Sequence, residues 1–200
     1  MLLNRLLLLV ALFLVVPHAV PDARATTVLQ IGMQELANTS TWIVRADVLG
    51  SSVIDKRDFG EGIFTDVHLA IRDTWKGANV PAFYTLRLIG GTGADGNTLK
   101  VPGIPEFEAG EQVVLFLEAT SLGHIPTGLG QGVWRVLTTP SGDEWVRQST
   151  GSAHLMRRGA DGLLGPADER LIGQALPLFD LISDMYRHLD PPSSQLEVLP

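Results

Sequence analysis

The stretch that decides the fold is Gly60-Glu61-Gly62-Ile63-Phe64-Thr65-Asp66-Val67-His68-Leu69-Ala70-Ile71-Arg72-Asp73-Thr74-Trp75-Lys76-Gly77. From Ile63 it alternates, with Ile63, Thr65, Val67, Leu69 and Ile71 on one side and Asp66, His68 and Arg72 on the other. A strand has a side-chain period of two, so this pattern sets one face on a core and leaves the other wet. Gly60, Gly62 and Gly77 bracket the run where turns are needed. The spacing predicts a long antiparallel strand around which the others are laid.

Working outward, Trp42–Val53 reads as the preceding strand and Asp55–Gly62 as the loop of a hairpin joining the two. Ala82–Ile89 reads as the next strand, with Tyr84, Leu86 and Leu88 facing away from Phe83, Thr85 and Arg87. Val113-Val114-Leu115-Phe116-Leu117 is apolar at every position and too short for a helix, so it predicts a central strand buried on both faces. Val133–Leu137 and Glu144–Arg147 form a further hairpin about Thr139-Pro140-Ser141-Gly142. Ala153–Gly165 reads as loop, with Arg157 and Arg158 exposed.

Two helices flank the strands. Met33–Asn38 suits one or two turns, and Pro177–Leu189 carries one apolar stripe through Leu178, Leu181, Ile182, Met185 and Leu189. Pro177 fits its first position and Asp190-Pro191-Pro192 ends it. The expected fold is mainly β: a small antiparallel β-barrel of the OB type, with a short N-terminal helix and a docked amphipathic C-terminal helix. Closing a sheet hides its edges.

Residues 1–25 have the three parts of a secretory signal: Arg5, the apolar run Leu6–Val16, and Ala23-Arg24-Ala25 as a cleavage site. That run is shorter than the roughly 20 residues a spanning helix needs. The expectations are an exported protein, periplasmic or extracellular, and no stable membrane insertion once the leader is cleaved. Residues 26–190 then make one domain and 191–200 a disordered tail. The chain holds no cysteine, which excludes disulfides and thiolate chemistry and fits a bacterial envelope protein. Net charge is −7, or −8 without the leader, and no basic cluster offsets it, so nucleic acid is not the expected partner.

No motif points to a catalytic residue, a cofactor or a metal. The loops Gly90–Gly96 and Gly128–Gly132 lack the Gly-Lys-Ser/Thr that a phosphate loop requires. His68, His124, His154 and His188 have no histidine partner three or four residues away. Ser152 and His154 lie two apart, and Glu106, Glu108 and Glu111 crowd one turn, which suits a solvated turn better than an acid–base pair. Trp75, Tyr84 and Trp134, the two tryptophans each beside a cation, are the residues to expect on a partner surface.

Ile43-Val44-Arg45-Ala46-Asp47-Val48, Trp75-Lys76-Gly77, Phe107-Glu108-Ala109-Gly110-Glu111 and Gln131-Gly132-Val133-Trp134-Arg135-Val136 follow one another in a set order. In this the chain resembles a group of uncharacterised exported bacterial proteins, over about Gln34 to Val136. More distantly it is similar to the netrin-like module of metalloproteinase inhibitors, an OB-type barrel. The resemblance implies a barrel and carries no catalytic residue. Such inhibitors chelate zinc through an N-terminal cysteine, and this chain has none. The expected function is a non-enzymatic module that recognises another envelope or secreted protein. The alternatives are a hydrolase with a loop-built site, or inhibition of a secreted protease by fold analogy.

Overall fold

β7 (Gln112–Thr120) is the wall between two cores. Its Val113, Val114, Leu115, Phe116 and Leu117 are each at most 1% exposed, as an apolar run with no polar face requires. Val113, Leu115 and Leu117 enter one cluster, while Val114 and Phe116 enter the other.

The computed structural model describes residues 27–121, 123–150, 153–167 and 173–189. The expected leader (1–25), the expected tail (191–200) and Ser152 lie outside the described residues. β2 (Trp42–Asp55), β3 (Ile63–Lys76) and β4 (Phe83–Ile89) form an antiparallel meander, and β2 pairs β7 along its other edge. β7 pairs β8 (Gly123–Pro126) and then β9 (Val133–Thr138), which continues into β10 (Glu144–Gln148) and β13 (Ala175–Pro177). Two short strands, β5 (Gly91–Thr92) and β6 (Thr98–Leu99), pair as a separate ribbon.

The first core lies on the face formed by Val44, Ala46 and Val48 of β2, Val67 and Leu69 of β3, and Leu86 and Leu88 of β4. The expected alternation of β3 holds: Ile63, Val67 and Leu69 are buried and His68 is exposed. Asp66 departs from it, being only 6% exposed beneath the Arg87 guanidinium, which donates to it at 2.7 Å from both Nε and Nη2. The second core lies on the opposite face and is covered by α1 (Met33–Thr39) and α2 (Leu178–His188). Leu178, Leu181 and Met185 of α2 are buried there with Leu36 and Ala37 of α1.

The β2–β3 register slips three times, between Ile43/Val44, Arg45/Ala46 and Val48/Gly50. Such bulges bend and twist the strands. The meander curls until β4 lies beside β8, but no ladder pairs the two, and the described sheets do not close into a barrel. Tyr84 spans this seam: its Oη accepts from the His124 amide at 2.9 Å. The His124 ring stacks on Trp42 with centroids 3.6 Å apart. Burial lowers the His124 pKa from its ordinary value.

Two segments differ from their sequence reading. Residues expected as loop form β11 (His154–Arg158) and β12 (Leu164–Pro166), and β11 pairs in parallel with the N-terminal strand β1 (Thr27–Leu29). No alternation marks those strands because most of their residues stay exposed. Pro177 is the extended residue capping α2, with φ −56° and ψ 137°, and Leu178 is the first helical one. A fixed φ suits either position, so the sequence could not separate them.

Candidate partner-binding surface

Where α2 begins, it meets the ends of β3 and β10 in an open groove of about 850 Å³. Trp75 reaches it because of a bulge. The register passes from Ile43↔Lys76 to Val44↔Thr74 and leaves Trp75 unopposed. Its ring packs on the second core and lines the groove. Trp145 comes from β10, opposite Pro177 in the β10–β13 pairing, and is 37% exposed. Phe179 falls off the buried stripe of α2, one residue after Leu178, and is 76% exposed.

Asp73, Asp143 and Glu144 set three carboxylates among these rings, with Arg45 as the one cation among the described residues that line the groove. Arg45 is already engaged: Nη1 donates to Glu144 Oε2 at 3.0 Å and Nη2 to Gln112 Oε1 at 2.5 Å. Its Nε is buried without a partner among the described residues. Next to it, burial would raise the Asp47 carboxyl, yet hydrogen bonds from Arg72 and Gln112 and the charges of Arg72 and Arg45 hold it below its ordinary range. The groove therefore presents aromatic faces inside a negative rim. Such a surface offers apolar contact, cation–π attraction and hydrogen-bond acceptors to a basic segment.

The structure separates the three aromatics expected on a partner surface. Trp75 lines the groove. Tyr84 is half-buried in the seam, edge-on to Trp42 with centroids 5.2 Å apart. Trp134 is 8% exposed, packed in the second core, and offers no surface. It follows Val133, which points into the first core, so β9 is buried on both faces at its start. The neighbouring Arg135 had marked this as a surface position. Instead Arg135 reaches back to Glu111 at 2.8 Å, to Ser149 Oγ at 2.7 Å and to the Glu106 carbonyl at 2.6 Å.

Trp145 and Phe179 were not singled out in the sequence. The signal was present for Phe179, an aromatic residue outside the apolar stripe of an amphipathic helix. Trp145 carried none, because only the pairing of β10 with β13 brings it to α2.

The other expected features resolve into structure-building contacts. Gly128–Gly132 forms a short turn in which the Gln131 side chain accepts from the Ile31 amide at 2.9 Å and donates to the Leu29 carbonyl at 3.0 Å. Gly90–Gly96 leads through β5 into the turn before β6, where Asp95 with Asp55 grips Arg57. Glu106 pairs with Lys100 at 2.9 Å and Glu111 with Arg135 at 2.8 Å, while Glu108 donates its amide to Glu111 at 3.0 Å. His68 sits between Ser52 Oγ at 3.3 Å and Thr85 Oγ1 at 3.4 Å on the exposed sheet face, outside the groove. His154 is exposed on β11, and His188 lies 3.7 Å from Asp184. Among the described residues no three His, Cys, Asp or Glu converge as metal ligands, and no helix is long and apolar enough to cross a membrane.

No family model, no curated protein and no solved structure matches this chain.

Proposed function

We propose that the protein is an exported, non-catalytic module that recognises another envelope or secreted protein, and that the groove between α2, β3 and β10 is where it does so. The observation that carries this reading is the exposure of Phe179 and Trp145 beside Trp75, inside a rim of three carboxylates. Large exposed aromatics cost solvation unless something covers them, and Trp is among the residues that dominate interface energies. The partner segment is basic, with at least one apolar anchor, because a net-negative rim attracts cations and repels acidic chains. The chain's overall charge of −7 acts in the same direction and argues against nucleic acid.

An OB-type barrel left open at the β4–β8 seam is the finer architectural reading we attach to this proposal. Its support is the curl of β2–β3–β4 toward β8 and the Tyr84 bridge over the seam.

Immobilised protein, challenged with an envelope fraction, tests the function. The expected result is capture of a protein with a basic segment, weakened by salt and lost in Phe179→Ser, but retained in Phe59→Ser, whose ring is equally exposed elsewhere. Capture that ignores Phe179→Ser, or of a partner with an acidic contact segment, contradicts the proposal.

A further inference from the structure

A second concavity lies on the other side of the molecule, at the end of the first core remote from the Trp42–Tyr84 seam. Its volume is about 380 Å³, and it opens between the curled sheet and the segment 98–107. Val67 and Leu88, both core residues, line its floor, while Ile104 and Phe107 pack against the same core from the covering segment. Three large apolar residues left partly open to solvent, Val53 (47%), Ile89 (44%) and Leu99 (37%), line this one cleft.

Apart from the exposed Ser51, the polar side chains around it are already bonded. Thr65 Oγ1 donates to the Gly90 carbonyl at 2.8 Å, Thr92 and Thr98 share a hydrogen bond of 2.9 Å, and Lys100 holds Glu106. Neither of the buried polar atoms lacking a partner among the described residues, Arg45 Nε and Trp134 Nε1, belongs to this cleft. A sugar or nucleotide needs several convergent donors and acceptors, and one exposed hydroxyl, Ser51, does not supply them. An apolar ligand needs none. The volume lies in the range of small-molecule sites, roughly 300–1,000 Å³.

We infer that this cleft binds a single free fatty-acid-like chain, its hydrocarbon on Val53, Leu88 and Leu99 and its carboxylate at the mouth beside Lys100. The Lys100–Glu106 pair is exposed on both partners, 64% and 80%, so a competing carboxylate exchanges with Glu106 at little cost. A cleft of this size has no place for the second chain of a phospholipid. This site is independent of the aromatic groove and of any partner protein.

The test is a titration of methyl-labelled protein with dodecanoate below its micelle concentration, followed by NMR. Shifts should saturate and concentrate on the methyls of Val53, Leu88, Leu99 and Ile104. Val53→Asp, at a half-open position that tolerates a charge without unfolding, should weaken dodecanoate by about tenfold or more, because the chain must then lie on a carboxylate. Leu99→Asp repeats the measurement from the other wall if Val53→Asp alters the unliganded spectrum. Phe179→Ser should leave the affinity unchanged. Shifts that are absent, spread over the surface or centred on Ile182 overturn the assignment. So does equal affinity in both Asp variants, or binding of dioleoylphosphatidylcholine vesicles in place of the free acid.

Discussion

Gln131 shows how much one buried side chain can organise. Its amide presents the pattern of a peptide group to residues 29–31, accepting from the Ile31 amide and donating to the Leu29 carbonyl, while Gln148 donates to its own carbonyl at 2.7 Å. Gln131→Glu replaces the donor by a second acceptor facing a carbonyl, in a site 2% exposed. It should cost about 2–4 kcal/mol and release the Ile31 amide to rapid hydrogen exchange. Gly132 beside it admits no side chain: an added Cβ would lie 2.6 Å from the Thr127 carbonyl oxygen and 2.7 Å from that of Phe116. Both are backbone atoms, one in β7 and one in the turn after β8 whose amide is bonded to the Phe116 carbonyl at 2.9 Å, and they cannot swing aside, so Gly132→Ala should destabilise by about 2 kcal/mol or more in urea unfolding. At Asp66 the Arg87 guanidinium lowers the carboxyl's pKa below its ordinary value, chiefly by hydrogen bonding. A depressed folded-state pKa stabilises above the unfolded-state value and is lost as pH falls through the folded one. Asp66→Asn should therefore be less stable than the wild type at pH 7, by about 1 kcal/mol given that Arg87 is part-exposed, with the gap closing below about pH 4.

At the scale of elements, the strands with a one-sided pattern were legible and the rest were not, for reasons that differ case by case. β3 announces its faces through Val67 and Leu69 against His68, and β7 announces burial on both faces by having no polar residue between Val113 and Leu117. Val67→Asp should cost at least about 3 kcal/mol by burying an unpaired charge, whereas His68→Asp should stay within about 0.5 kcal/mol; equal melting temperatures would reverse the faces. In α2, Met185→Ala should cost about 2–5 kcal/mol and Phe179→Ala almost nothing, since one is 1% and the other 76% exposed. What the sequence hid are features set by distant partners. β11 is held between β1 and β12, pairing in parallel with the first and antiparallel with the second, and the residues of β11 and β12 show no period of their own. Trp75 reaches the groove through a bulge, and no local signal marks where a register slips. Trp134 looked like a surface residue because Arg135 follows it, yet Arg135 folds back onto Glu111 and the indole is left inside.

Across the whole molecule, one sheet serves two cores, with helices on one face and its own curl on the other. Both open places follow from that arrangement. The aromatic groove lies where α2 overhangs the ends of β3 and β10, and the apolar cleft lies where the covering segment fails to fill the curl. Neither was readable from composition, because each gathers residues from three or more elements. The proposed recognition places a partner in the groove and not on the flat sheet face. A photo-crosslinking amino acid placed at position 179, with position 59 as the control, tests this in cells that express the full chain. A discrete adduct from position 179 to a segment rich in Lys or Arg, and none from position 59, is the expected result. Adducts of equal yield from both positions, or from position 59 alone, would contradict it.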